Sequence, residues 1–131
     1  MKKRLIAGIL AFGMLLALPL WAGAVAEATK AALMEARDNL VGLLAESEPA
    51  AQQKRIEAIK QSSARVDDLV AKQGAVLQEF AQVWQPFKAT RDGELVPSIL
   101  AGKKEQAKAL ATSVQAERFR KMLQILAGLP Q

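Results

Sequence analysis

From residue 27 onward the apolar positions fall at steps of three and four, the period of a helix with one face turned inward. No stretch alternates residue by residue as a half-buried strand would. The pattern predicts four helices. The first, over about 27–46, carries Leu33, Ala36, Leu40, Leu43 and Leu44 on one face, with Arg37 beside it. Ser47-Glu48-Pro49 ends it, and Pro49 suits the first turn of the next helix, where a backbone N–H would be unpaired anyway. The second helix, over about 50–73, sets Ile56, Ile59, Ser63, Val66 and Val70 on a heptad-like stripe with Asp67 close by. At 1.5 Å per residue it runs about 36 Å. Gly74 marks the corner that follows.

Residues 84–126 hold the strongest pattern, two apolar-periodic segments flanking Gly102-Lys103-Lys104. The third helix, over about 75–101, places Leu77, Phe80, Trp84 and Phe87 on one side. Pro86, Pro97 and the turn-forming pair Asp92-Gly93 oppose it, because each proline removes a backbone donor and crowds the preceding turn at about 3 kcal/mol or more in a helix interior. A bent helix is expected, and Gly93 is the place for a break if the helix is not continuous. The fourth helix, over about 103–126, carries two adjacent apolar rows: Leu110, Val114, Met122 and Ile125, then Ala109, Ala116, Phe119, Leu123 and Leu126. A stripe that broad faces two neighbours. The fold class expected is all-α, an up-down-up-down antiparallel four-helix bundle. Its expected core includes Leu40, Ile56, Ile59, Val66, Phe80, Trp84, Phe87, Leu110, Val114, Phe119 and Met122.

The first 26 residues change the picture of location and charge. Lys2, Lys3 and Arg4 precede an unbroken apolar run over residues 5–18, then Pro19, then small-x-small sites at Ala22-Gly23-Ala24 and Ala24-Val25-Ala26. This is the layout of a secretory signal peptide, and Pro19 and the two sites favour cleavage. The other reading is a retained anchor, since residues 5–26 are long enough to span a bilayer. Either way residues 27–131 are expected outside the cytoplasm, in the periplasm, free or tethered to the inner membrane. The chain of 131 residues has a formal charge of +5 from 18 basic and 13 acidic residues. Lys2, Lys3 and Arg4 belong to the leader and every acid lies beyond it, so 15 against 13 leaves +2 for the remainder. That mild excess does not call for a nucleic-acid partner.

The absent residue types narrow the chemistry. There is no histidine, cysteine or tyrosine. The usual zinc and copper ligands and the nucleophilic Ser–His and Cys–His arrangements are therefore missing, and no disulfide supports the fold. No glycine-rich phosphate loop occurs, so a non-enzymatic protein without cofactor is expected. Met34 and Met122, on the first and last helices, are the pair a bis-methionine haem site would use, and methionine at such positions ordinarily fills core. Three arginines, Arg37, Arg91 and Arg118, project onto or beside the apolar faces of their helices. Each is expected either to pair with an inward acid such as Asp67, to snorkel at a helix edge, or to hold an anionic ligand, whose carboxylate the guanidinium fork matches.

Trp84, Phe87, Ala89-Thr90-Arg91-Asp92, Glu94-Leu95-Val96-Pro97, Gly102 and residues 107–122, with Ala36-Arg37-Asp38-Asn39-Leu40 and the pair Ile56 and Ile59 upstream, resemble the four-helix-bundle sensory module of methyl-accepting chemotaxis receptors. The resemblance covers nearly all of the chain beyond the leader. It implies an extracytoplasmic module that dimerises, detects a small molecule or partner protein, and passes a helix displacement to a cytoplasmic signalling part. The chain departs from that pattern in carrying no second apolar run and no signalling domain, and in having Gly93 where a bulkier residue is usual. The reading is a sensor-like module that binds a small, anionic ligand or a receptor partner, with a homodimer implied by the resemblance. The alternatives are a structural or chaperone-like bundle without small ligand, and a haem-binding bundle of the cytochrome kind.

Overall fold

The computed structural model describes residues 21–130, and the leader's basic start and apolar run lie outside them. Among the described residues the chain is all-helical, with three long helices and no strand. Helix α1 spans Ala22–Ala45 and α2 spans Pro49–Gln73. A 3₁₀ turn at Gly74–Leu77 leads into α3, Gln78–Thr90, which passes through a π turn at Arg91–Leu95 into the short α4, Val96–Leu100. The last run is α5, Lys104–Thr112, and α6, Val114–Ala127. Gly74 at φ 47° and Gly102 at φ 80° make the two corners, in the left-handed region that a side chain resists.

Helix α1 begins at Ala22 rather than near Glu27. The difference follows from packing, because Val25 and Ala26 are buried with Leu33, Val66, Leu77, Trp84 and Leu126 in one apolar cluster. Phe80, Phe87 and Met122 belong to the same cluster, and Phe119 packs half-buried against it. A second cluster, nearer the connections at Ser47 and Gly102, gathers Leu40, Leu43, Ile59, Leu95, Ile99 and Ala107, with Ile56 and Leu110 half-buried on its edge. Helix α1 packs along α2. Arg55 of α2 lays its side chain over Gly42 of α1, where an added Cβ would meet the guanidinium carbon at 2.6 Å. Arg55 also donates to Asn39 Oδ1 at 3.1 Å. At the far end Lys104 donates to the Glu46 carbonyl at 3.0 Å, joining the second hairpin to the first connection.

The third run stays helical past Gly93, through the π turn at Arg91–Leu95. Pro97 has no N–H for the carbonyl four residues back and its ring crowds that carbonyl. The wider π turn immediately before α4 removes that conflict while the run remains helical. Asp92 and Gly93 lie inside this turn, with open space where a Gly93 Cβ would point.

The fourth run is interrupted at Ser113, whose φ of −111° and ψ of −103° leave the helical region. Thr112 and Ser113 both turn their hydroxyls back onto the preceding turn, to Lys108 O at 2.8 Å and Ala109 O at 2.7 Å. Such side-chain bonds compete with the helical ladder. The break rotates α6 out of phase with α5 and corrects the expected core. Val114 is 37% exposed, not buried, and Gln115 takes the inward position at 2% exposed.

The two positions separate the expected phase from the observed one. Leu43→Ala, at a fully buried site, should cost about 2–5 kcal/mol through lost burial and a cavity. Val114→Ala should fall within about 0.5 kcal/mol of the parent. Urea unfolding followed by far-ultraviolet circular dichroism measures both.

Candidate functional site

The three arginines do not converge on one site. Arg91, the first residue of the π turn, is 2% exposed. Its guanidinium carbon lies 5.7 Å from the centre of the Trp84 ring, and its Nε donates to Asp92 Oδ1 at 2.9 Å. Its Nη1 is buried without a partner among the described residues, as is Ser63 Oγ. Asp92 is itself more than half exposed, so this is an ion pair between neighbours in sequence with one member in water.

Asp67, expected as the inward partner of an arginine, is taken instead by helix α3. Trp84 donates its indole N–H to Asp67 Oδ1 at 2.7 Å, and Lys88, one turn on, reaches Oδ2 at 2.8 Å. The Lys88 ammonium also lies 5.9 Å from the Trp84 ring centre. Phe80, Trp84 and Phe87 stack along α3 at centroid separations of 6.3 and 6.0 Å. A 3–4 spacing of aromatics signals such a column. The indole's need for an acceptor was the signal pointing to Asp67.

Arg118 is half-buried and joins α6 to α3. Its Nη1 lies 2.8 Å from Thr90 Oγ1, 2.9 Å from Gln115 Oε1 and 3.3 Å from the Pro86 carbonyl. Gln115 Nε2 donates to the Phe87 carbonyl at 2.9 Å. Both ends of the buried Gln115 amide are therefore bonded. Gln115 lies between the two apolar rows, so the helical period already turned it inward, and its polarity alone kept it from being read as core.

Arg37 is exposed, with its guanidinium 5.1 Å from the centre of the Phe119 ring. It stands at one side of a groove of about 410 Å³ between α1 and the α5–α6 run. Leu40, Leu44, Phe87 and Leu123 contribute apolar lining, and Arg120 supplies a second cation. No acid lines this groove, and neither arginine has an ion pair among the described residues. The arrangement can hold a molecule with an apolar body and an anionic group. Two larger, more open hollows offer less chemistry. One, at the Gly74 corner, is lined by small residues, Val70 and glutamines; the other, between α1 and α2, carries Arg65 together with Glu35 and Asp68, and Arg65 is bonded to Glu35.

Met122 is fully buried in the first cluster, and Met34 is half-buried and not part of it. Among the described residues no group of acids, histidines or cysteines is placed to hold a metal ion, and no helix is long and apolar enough to cross a membrane. Comparison of the chain with protein-family models, with curated proteins and with solved structures finds no match.

Asp67 and Arg91 should respond in opposite ways to removal. Asp67→Ala strands the fully buried indole N–H and should cost about 1–3 kcal/mol. Arg91→Met removes a buried guanidinium with an unbonded nitrogen and leaves only a solvated Asp92 behind. It should be neutral or stabilising, by up to about 1–4 kcal/mol. Chemical denaturation of both variants reads the two signs.

Proposed function

We propose that this chain is a non-enzymatic, extracytoplasmic four-helix bundle of up-down-up-down topology, preceded by a hydrophobic export helix, that binds a small anion bearing an apolar body. It acts as a sensor-like module in signal transduction of the chemotaxis kind, alone, as a homodimer or against a receptor partner. The observation that carries this reading is the Arg37–Arg120 groove. Its apolar floor would desolvate a ligand's body, and its two unpaired guanidinium groups would meet a carboxylate by charge-assisted hydrogen bonds. Of the three arginines first considered, Arg37 alone lies in it. Arg91 and Arg118 serve packing, which moves the candidate ligand site from the interior of the second hairpin to the seam between the first and last helices.

The structural use of Arg91 and Arg118 also supports the second reading, a structural or chaperone-like bundle with no small ligand. Calorimetric titration with amino acids, dicarboxylates, decanoate and indole-3-acetate separates the two. The sensor reading expects saturable binding of one of the last two, and about a tenfold loss of affinity in each of Arg37→Ala and Arg120→Ala, the worth of about one charged hydrogen bond. Both residues are exposed, so the variants should fold. Absence of saturable binding by any of these anions, or affinities unmoved in the double variant, would leave the structural reading in place.

A further inference from the structure

The start of α1 carries both small-x-small sites of the leader, and both lie in residues that the fold uses. Helix α1 begins at Ala22 with Trp21 as its cap, and the Val25 N–H already donates to the Trp21 carbonyl at 2.8 Å. Val25 is fully buried, and Ala26 is buried beside it. Thr29, also fully buried, donates its hydroxyl to the Val25 carbonyl at 2.7 Å.

Each cut would damage this arrangement in its own way. Hydrolysis after Ala24 makes Val25 the new terminus and puts an ammonium at the edge of the apolar cluster in which Val25 is buried. A charge is costly there without a partner. It would also stand at the positive end of a helix, where the macrodipole opposes it. Hydrolysis after Ala26 removes Val25 and Ala26 from the cluster. It also removes the acceptor of Thr29, so that the hydroxyl loses its hydrogen bond at the newly opened end. Neither product keeps the end of the core that α1, Leu77 and Leu126 share.

Trp21 supplies an independent observation. It is 80% exposed, the most exposed of the large apolar side chains among the described residues, and it stands in sequence between the apolar run and the bundle. An indole left in water on a folded surface gains from a medium with apolar and polar layers, and tryptophan collects at the membrane–water boundary for that reason. The apolar residues that precede it, 5–20, would be about 24 Å long as a helix, shorter than the span over residues 5–26. They would reach across a bilayer with Lys2, Lys3 and Arg4 snorkelling at the far side.

We infer that the leader is retained and not cleaved, and that residues 21–26 form a continuous helical stem by which a lipid bilayer holds the bundle, with Trp21 at the headgroup level. The inference rests on the extracytoplasmic placement proposed above and gives it a fixed orientation. The end of the bundle with Val25, Leu77 and Leu126 faces the membrane, and the connections at Ser47 and Gly102 point away from it.

The test is expression of the full chain in an exporting Gram-negative host, flotation of membranes on a density gradient, and intact-mass measurement of the chain recovered. The expected product begins at Met1, allowing for its formyl group, and floats with the membranes after alkaline carbonate extraction. A chain beginning at Val25 or Glu27, wherever it fractionates, overturns the inference, and so does full-length chain that stays soluble or sediments without floating. Protease added to spheroplasts separates this from the placement itself. Digestion of a floated, uncut chain supports both, whereas protection of the bundle upholds the retained stem and overturns the extracytoplasmic reading.

Discussion

Trp84 donates its indole N–H to Asp67 while its ring lies fully buried between Phe80 and Phe87, and the position of the third helical run depends on that bond. Without a disulfide, a chain of this size holds its fold by core alone. A large aromatic with one polar atom contributes most to such a core when that atom is satisfied. Asp67 makes the satisfaction possible from α2, and Lys88 closes the carboxylate's other oxygen. Three elements follow from this register. Phe87 is brought 6.3 Å from Phe119 of α6, Arg91 is laid over the indole, and the Phe87 carbonyl is presented to Gln115. The polar contacts of the second hairpin are thus arranged around one apolar column.

The helices were legible because their signal is periodic and repeated many times. Ile59, Val66, Phe80 and Trp84 lie one or two turns apart, and each strengthens the reading of the others. Gly74 and Gly102 were legible for a different reason, as isolated residues that alone tolerate the corner geometry. The Ser113 break was not, although its chemistry is local. Two adjacent hydroxyl residues sit in helices without breaking them whenever packing holds the ladder, so Thr112-Ser113 became decisive only with the phase of α6 fixed by Met122 and Leu126. The error at Val114 comes from that one break, whereas Gln115 was passed over because it is polar among apolar neighbours.

The arginines illustrate a further limit. A helical wheel places Arg37, Arg91 and Arg118 near apolar faces, but it does not say which neighbour each face meets. Arg91 faces Trp84 and Arg118 faces Thr90, while Arg37 looks across a seam to the last helix. The candidate groove lies between elements far apart in sequence, and half of its chemistry, Arg120, sits on a face that periodicity assigns to water. Likewise the role of Val25 and Ala26 in the core was hidden by their resemblance to a processing site. Small apolar residues suit a peptidase and a closely packed helix equally well.

A π turn holds more residues per turn than the α-helix it interrupts, and one extra residue turns everything beyond it by about 100°. The break at Ser113 resets the phase of the run that packs against this turn. The second hairpin therefore contains two dislocations, the π turn packing against α5 just ahead of the Ser113 break. The first hairpin has none: α1 and α2 are uninterrupted and pack along each other. In the history of such a chain, gains and losses of single residues would accumulate between Arg91 and Ser113, while α1 and α2 kept their length.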